Sequence, residues 1–369
     1  MTGQVAVIGA GVVGLATAWA LERRGLHCSV FEQGAPGGGQ SAGESRIFRH
    51  AHRDPRQFEL ALRARRDWRD WEEAFGVQLI SPDGSMVLGE DAVSRLERYA
   101  DEPGIEVREL TPEEIREVLP PMDRFDGPAM IDETAGAIRT RLALANLIRA
   151  VGTNLIPERV EAVLPRITGG VEVVTENGSR TFDSAVVCAG RGTSFLAEAS
   201  GVPIPVTDRA HVRLCFPVDG AGRERRLACF QDSSGFWGED AGYGSAVRGN
   251  REYTVGLAVS ASMDATAADS LDDLTARTLD YARRAMPGLS PWPAQALHCW
   301  VTELPWAPDG LAIWQSADTF FVAGHNLFKL APVLGRALAR SVASGEVEPG
   351  FRPEDRLGAS IGEPAGSAG

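Results

Sequence analysis

Three glycines near the start of the chain carry the first chemistry. Gly9, Gly11 and Gly14 follow the apolar run Val5-Ala6-Val7-Ile8 and precede the helix-forming stretch Leu15-Ala16-Thr17-Ala18-Trp19-Ala20-Leu21. In a strand–turn–helix unit such glycines have separate tasks. Gly9 makes the tight turn, Gly11 lets the backbone approach a pyrophosphate, and Gly14 lets the helix pack closely on the strand. The helix N-terminus then offers free N–H groups and a positive dipole end to phosphates. Glu32 stands 23 residues after Gly9, at the end of a second strand-like run, Cys28-Ser29-Val30-Phe31. A carboxylate there can bind both ribose hydroxyls and repels a 2′-phosphate. The bland alternative is a glycine-rich turn with no ligand. Strand, helix, second strand and acid together favour a bound dinucleotide, FAD or NAD.

The cations come next. After the glycine-rich loop 34–43, which can lie against a flat or charged ligand, the chain reads Glu44-Ser45-Arg46-Ile47-Phe48-Arg49-His50. Arg46 and Arg49 are neighbours on a helix but not on a strand. A solvated basic face is their plain reading, yet they follow a cofactor-type loop directly. Lys329 is the single lysine among 37 basic residues. It is either a chance survivor of a bias toward arginine or a place where the planar guanidinium fork will not do.

These residues need a scaffold. Residues 55–75 read as a helix with Phe58, Leu60, Leu62, Trp68, Trp71 and Phe75 as core candidates. Residues 77–140 alternate short strands with a helix opened by the N-cap signature Thr111-Pro112-Glu113-Glu114. Arg141 to Val151 reads as a helix, and Asn177-Gly178 as a hairpin turn between Val171–Val174 and Arg180–Phe182. The apolar strand Ser184-Ala185-Val186-Val187 ends in Gly190 and Gly192 and is expected beside the first strand. Residues 202–262, with His211–Phe216 and Tyr253–Val259, suggest an antiparallel sheet roofing a pocket. Leu271 to Met286 is helical. Thr319 to Ala323 is a strand, and the helix after it is expected to open at Leu330, with Pro332 in its first turn. Gly25 is placed to cap the first helix, and the tail from about Glu354 is expected to be disordered.

A chain of 369 residues can bury a large core and is expected to form two interleaved domains. Its net charge of −13 argues against nucleic acid or an anionic membrane as partner. No run of apolar residues is long enough for a membrane span, and the N-terminal apolar run is a strand, so no signal peptide is expected. The five cysteines are dispersed without a CxxC pair. That fits a reducing cytoplasm and excludes a common zinc site, so no metal is expected.

The set resembles the D-amino-acid-oxidase-like flavoproteins, and within them the monomeric sarcosine oxidase group of amine oxidases. The resemblance runs from Val5 to about Ala343. Gly9 to Glu32 looks like the family's FAD site, and Val186 to Gly192 like its second FAD motif. Gly43-Glu44-Ser45-Arg46-Ile47-Phe48-Arg49-His50 is similar to Gly-Asp-Thr-Arg-Ile-Ile-Arg-His. There the first arginine lies near the flavin and the second binds the substrate carboxylate. Phe328-Lys329 resembles the segment whose lysine is the other carboxylate partner. His298-Cys299-Trp300 resembles the segment whose cysteine carries the flavin covalently, and Tyr243 aligns with the substrate-flanking tyrosine.

The resemblance thus implies an α/β fold in which a Rossmann-type FAD-binding domain (residues 1–80, 141–200 and 310–350) interleaves with an antiparallel-sheet substrate domain (81–140 and 201–309). It implies Arg46, Arg49, Tyr243 and Lys329 as catalytic residues. FAD contacts are expected from Gly9, Gly11, Gly14, Glu32, Gly43, Ser45, Arg46, Gly190, Cys299, Gly324 and Lys329.

The sequence departs from the family at Thr254, where the family has the lysine that activates oxygen, and at Ala258, where it has a histidine. Arg46 and Arg248 are candidates for the missing positive charge. The loop before Phe328 is also shorter, with His325-Asn326-Leu327 in it. The implied activity is FAD-dependent oxidation of a secondary or cyclic amine of an amino-acid-like carboxylate to an imine, by hydride transfer, in a cytoplasmic monomer with oxygen as acceptor. The alternatives are an amine dehydrogenase with another acceptor, a flavin monooxygenase, and a non-catalytic flavin-binding subunit. Monooxygenases usually carry Gly-Asp where this chain has Ala323-Gly324-His325. Phe236, Trp237, Tyr243, Trp300, Trp306 and Trp314 would suit a bulky amine or, equally, a core.

Overall fold

The structure is a computed structural model that describes residues 3–52, 54–218, 225–262 and 270–359. The first strand, Gln4–Ile8, lies inside a six-stranded sheet. It pairs in parallel with His27–Phe31 on one side and Ser184–Val187 on the other. The sheet continues through Thr319–Gly324 to an antiparallel edge strand, Leu311–Ser316, and at the other end closes with Leu155–Ile156. The apolar run has no polar face because both faces are covered. Val5 and Val7 pack under the helices Val12–Glu22 and Leu327–Ser344. Ala6 and Ile8 pack against the three-stranded sheet that contains the Asn177-Gly178 hairpin.

The two helices under the sheet approach closely. A Cβ on Gly335 would lie 2.6 Å from the backbone of Ala16. The Pro55–Phe75 helix starts as its sequence signals. Asp54 caps it by accepting from Arg56 N–H, Pro55 occupies the first turn, and Gly76 ends it with a left-handed φ of 66°. It carries Phe58, Leu60, Leu62, Trp68 and Trp71 buried, with Phe75 partly so. Gly25 is left-handed as well (φ 73°), although the cap of the first helix is Arg23.

The second sheet has nine strands among the described residues. Thr207–Pro217, Glu252–Leu257, Gly242–Val247 and Cys229–Asp232 run antiparallel in that order, and Gln295–Glu303 pairs along the outer side of the first. One junction is parallel, Cys229–Asp232 with Ser85–Leu88, so the sheet is mixed and not wholly antiparallel. Residues 77–140 hold two helices, Glu90–Tyr99 and Pro112–Val118, the latter with a complete Thr111–Glu114 capping box.

Two expectations need correction. The last long helix begins at Leu327, capped by Asn326 with φ 56°, so Pro332 lies inside it. Phe328 stacks on Trp68, and Trp68 donates its indole N–H to Lys329 O at 2.8 Å. This packing holds the added turn despite the N–H that proline removes. The tail does not loosen at Glu354. Leu357 is buried in the main core and Gly358 N–H donates to the second oxygen of Asp54 at 2.7 Å. Only residues 360–369 of that expectation lie outside the described residues.

Candidate active site

Both sheets line one cavity of about 1680 Å³. That is larger than the ~300–1,000 Å³ of an ordinary small-ligand pocket, so there is room for a large cofactor and a substrate together. At one end is the glycine turn. Gly9 has φ 99°, and a Cβ there would sit 2.6 Å from Cys188 O, so the turn requires glycine. A Cβ on Gly14 would run into the Gly9 carbonyl, which makes Gly14 a packing residue that does not line the cavity. A Cβ on Gly11 would meet only Ser41 Oγ, at 3.2 Å. Ser41 accepts from Val12 N–H at 2.9 Å, and the first turn of the helix faces the cavity. Glu32 accepts from Ala10 N–H (2.8 Å) and Gly34 N–H (2.9 Å), which holds its carboxylate at the cavity wall. Gly190 and Gly324 line the same wall. A helix N-terminus beside a fixed carboxylate suits a pyrophosphate next to a ribose.

In the middle of the cavity two guanidiniums share one carbonyl. Arg46 donates to Ser45 O (2.9 Å), Gln40 O (3.1 Å) and Ala42 O (2.6 Å). Arg213 donates to Ser45 O at 3.0 Å and to Tyr243 Oη at 3.4 Å, with its guanidinium 5.4 Å from the Tyr243 ring centre. Burial, and then the charge of Arg213, bring the Arg46 pKa down to about 10. Gly43 and Ser45 do not line the cavity but serve this cluster. A Cβ on Gly43 would press on the Arg46 guanidinium at 2.8 Å, while Ser45 supplies the shared carbonyl. Cys299, a free thiol on the strand opposite His211, faces the same space together with Tyr243 and Trp300.

At the far end Arg49 and Lys329 meet around an acid. Arg49 Nη2 lies 3.4 Å from Asp309 Oδ2. Asn326 Nδ2 donates to Asp309 Oδ1, and His325 Nδ1 lies 3.5 Å from the same oxygen. Gln57 Nε2 donates to the Asp309 carbonyl at 2.6 Å. Burial opposes the charge of Asp309, but Lys329 and Arg49 outweigh it and hold the carboxyl well below its usual range. Lys329 is buried. Burial first, and Arg49 second, push its pKa down to about 7 against the pull of Asp309. Three imidazoles surround this group. Burial keeps His52 neutral and brings His325 to about 4, and it lowers His211 as well. His325 stacks on His211 with ring centres 5.5 Å apart. The buried Nε2 of His52 has no partner among the described residues.

Several expectations change here. Arg248 is half-exposed, pairs with Glu252 (2.8 Å) and Glu44 (3.5 Å), and does not line the cavity. Thr254 also lies off the cavity, bonded through Oγ1 to Ser245, which bonds Ser45. Ala258 does line it. Of the aromatic candidates, Tyr243, Trp300 and Trp306 line the cavity. Trp237 is buried against Phe125 and Tyr281, Phe236 is exposed, and Trp314 does not line the cavity but lies against Trp306, with ring centres 6.2 Å apart. The residues missed by sequence reasoning are Arg213, Asp309 and His52. Arg213 had a signal. Val212, Leu214 and Phe216 face the core, so the alternating Arg213 faces the pocket that this sheet was expected to roof. Asp309 had none beyond the turn-like Pro308-Asp309-Gly310.

Comparison with known proteins fits this geometry. The sequence profile of the FAD dependent oxidoreductase family matches residues 4–341. Among curated proteins no sequence matches. Among solved structures, NikD, described as an unusual amino acid oxidase essential for nikkomycin biosynthesis, is similar over 98% of both chains at 20% identity, with a TM-score of 0.81. L-proline dehydrogenase from P. horikoshii is similar over 95% of this chain and 97% of its own, at 18% identity and a TM-score of 0.79. Glycine oxidase from Geobacillus kaustophilus is similar over 99% of this chain and 100% of its own, at 19% identity and a TM-score of 0.76. At these identities the likeness is one of fold.

Proposed function

The chain belongs to the FAD dependent oxidoreductase family, and on that premise we propose that it oxidises a secondary or cyclic amine of an amino-acid-like carboxylate to an imine, with oxygen as acceptor. The observation that carries this reading is that Arg49 and Lys329 both act on one half-buried carboxylate, Asp309, in the wall of the cavity. Only one Arg49 nitrogen is engaged by Asp309, and that loosely, at 3.4 Å. The rest of the fork stays available to a substrate carboxylate.

The residues fit FAD. Gly11 has no side chain in the cavity, Glu32 is fixed at its wall, and Arg46 and Arg213 present cations further in. In this reading residues 1–80, 141–200 and 310–350 hold the cofactor, and residues 81–140 and 201–309 cover the substrate. FAD, when bound, supplies the hydride acceptor. Gly9, Gly11, Glu32, Arg46, Gly190, Gly324 and Lys329 would hold it, Gly14, Gly43 and Ser45 would support that binding, and Cys299 would be its attachment point. Arg49 and Lys329 orient the substrate carboxylate, and Tyr243 flanks the amine. Such positioning can supply up to roughly 7 kcal/mol of barrier reduction. An amine gives up hydride only when neutral, and a site carrying Arg46, Arg213, Arg49 and Lys329 disfavours a further positive charge. The bound amine therefore gives up its proton more readily than it does in water.

An anaerobic screen of amines, following loss of flavin absorbance near about 450 nm, tests this reading. Bleaching by a secondary or cyclic amino acid is expected. Bleaching by NADPH would instead favour a monooxygenase, and no bleaching by any amine a non-catalytic subunit. The dehydrogenase reading keeps one supporting observation, the absence of a lysine at position 254.

A further inference from the structure

Every arginine on a protein surface can find an acid or water, but a guanidinium in a cavity wall needs a reason. Around this cavity Arg49, Arg191 and Arg209 each face a carboxylate, at 3.4, 2.9 and 3.9 Å. No carboxylate is within 4 Å of Arg46 or Arg213 among the described residues, nor of the lining residues Arg98 and Arg159, but Arg46 and Arg213 also share an acceptor. Among the described residues their hydrogen bonds go to backbone carbonyls and to the Tyr243 hydroxyl, and they share Ser45 O. Two like charges on one acceptor repel, so a negative charge arriving near both is favoured. Both guanidiniums line the cavity, as do Cys299 and Tyr243.

A hydride carries two electrons and one proton. FAD that accepts one therefore gains a unit of negative charge unless a second proton follows. We propose that Arg213, together with Arg46, forms a paired-cation site that receives this charge, so that Arg213 sets the electron affinity of the bound flavin. The strand pairing supports the assignment. Arg213 sits opposite Gly256, whose lack of a side chain leaves room for Tyr243 beneath it, and Tyr243 in turn supports the guanidinium. Thr254, on the same neighbouring strand, is turned away into the Ser45–Ser245 chain and carries no charge. The inference rests on FAD binding in this cavity with Cys299 as its attachment point, as proposed above, and not on which amine is oxidised.

Sulfite decides it without any substrate. Its lone pair adds to oxidised flavin and leaves a negative charge on the ring, so its Kd reports the cations nearby. In the holoenzyme Arg213→Met should raise the sulfite Kd by about tenfold or more, the scale of one charge removed at a few ångströms. It should also lower the flavin midpoint potential. Arg213→Lys should recover most of both effects, and Arg248→Met, at an exposed and acid-paired position, should change neither. If the methionine variant is isolated without flavin, Arg213→Gln, which keeps a donor for Ser45 O but no charge, is titrated in its place. A Kd within about twofold of wild type in the uncharged variant would overturn the proposal. So would a lysine variant as weak as the uncharged one, because the loss would then be of shape and not of charge. Failure of the amine screen would leave this titration unaffected, so the two readings fail separately.

Discussion

Lys329 is where function and stability conflict most directly at the level of one side chain. Its pKa falls to about 7 from 10.5 in the folded protein. Between those values the unfolded chain binds more protons, so the contribution of Lys329 to stability improves as pH rises from about 7 toward 10. Below that window the buried charge costs on the order of 5 kcal/mol at most. Lys329→Met should therefore raise Tm at about pH 6.5, and the gain should shrink by about pH 10. An equal gain at both pH values would show that packing, not charge, is responsible. The same change, and Arg49→Met, should each cost roughly 2–4 kcal/mol in kcat/KM for a carboxylate substrate, the scale of leaving one charge unpaired. A substrate amide should lose much less, and equal losses would mean that neither residue reads the carboxylate. Cys299 has a simpler test. Acid-precipitated wild type should stay yellow and Cys299→Ser should release its flavin into solution; a colourless wild-type pellet rules out the attachment.

The close approach of the helices Val12–Glu22 and Leu327–Ser344 is an element-scale requirement, because it sets the glycine turn and Lys329 in one frame. Gly335→Ala puts a methyl 2.6 Å from Ala16 backbone. We expect it to cost roughly 1–3 kcal/mol, read as a lower urea midpoint at unchanged slope. No loss would mean the helices separate freely. The same elements show what a sequence makes legible. The Asp54-Pro55 start and Gly76 end of one helix, the Thr111 capping box and the glycine turn are set by residues within a few positions of each other, so local chemistry reveals them. Pro332 misleads for the opposite reason: Phe328 stacks on Trp68, more than 250 positions away, and that contact adds the extra turn. Likewise Leu357 is kept in place by the core and Gly358 by Asp54. Sheet order is equally hidden. Nothing near Ser85–Leu88 announces a parallel partner at Cys229–Asp232.

At the scale of the whole molecule, two sheets contributed by distant stretches of chain meet over a cavity whose charge none of them carries alone. The protein has a net charge of −13, yet Arg46 and Arg213 gather around Ser45 O, and Arg49 and Lys329 around Asp309, in the wall of one cavity. Spacing and rarity single out Arg46, Arg49 and Lys329 without deciding their roles, which come from the family resemblance, and Arg46 lies on the strand Ser45–Phe48 and not on a helix. The alternation of its strand points Arg213 toward the pocket but does not give its partner Ser45, and Asp309 becomes meaningful only once the loop before Leu311 closes on Arg49. This arrangement bears on the electron acceptor. When oxygen takes electrons, negative charge develops beside the flavin, and a fixed cation stabilises it most in a dry, low-dielectric site. Thr254 lies off the cavity, with its hydroxyl bonded to Ser245, whereas Arg213 lines it. Reduced wild type should accordingly react with oxygen unaided. In stopped-flow reoxidation Thr254→Lys should gain no more than about twofold, while Arg213→Met should slow the reaction by about tenfold. A lysine variant that reacts more than tenfold faster than wild type would mean the arginines do not supply the charge that oxygen needs. An acceptor other than oxygen would then account better for a site that keeps threonine at that position.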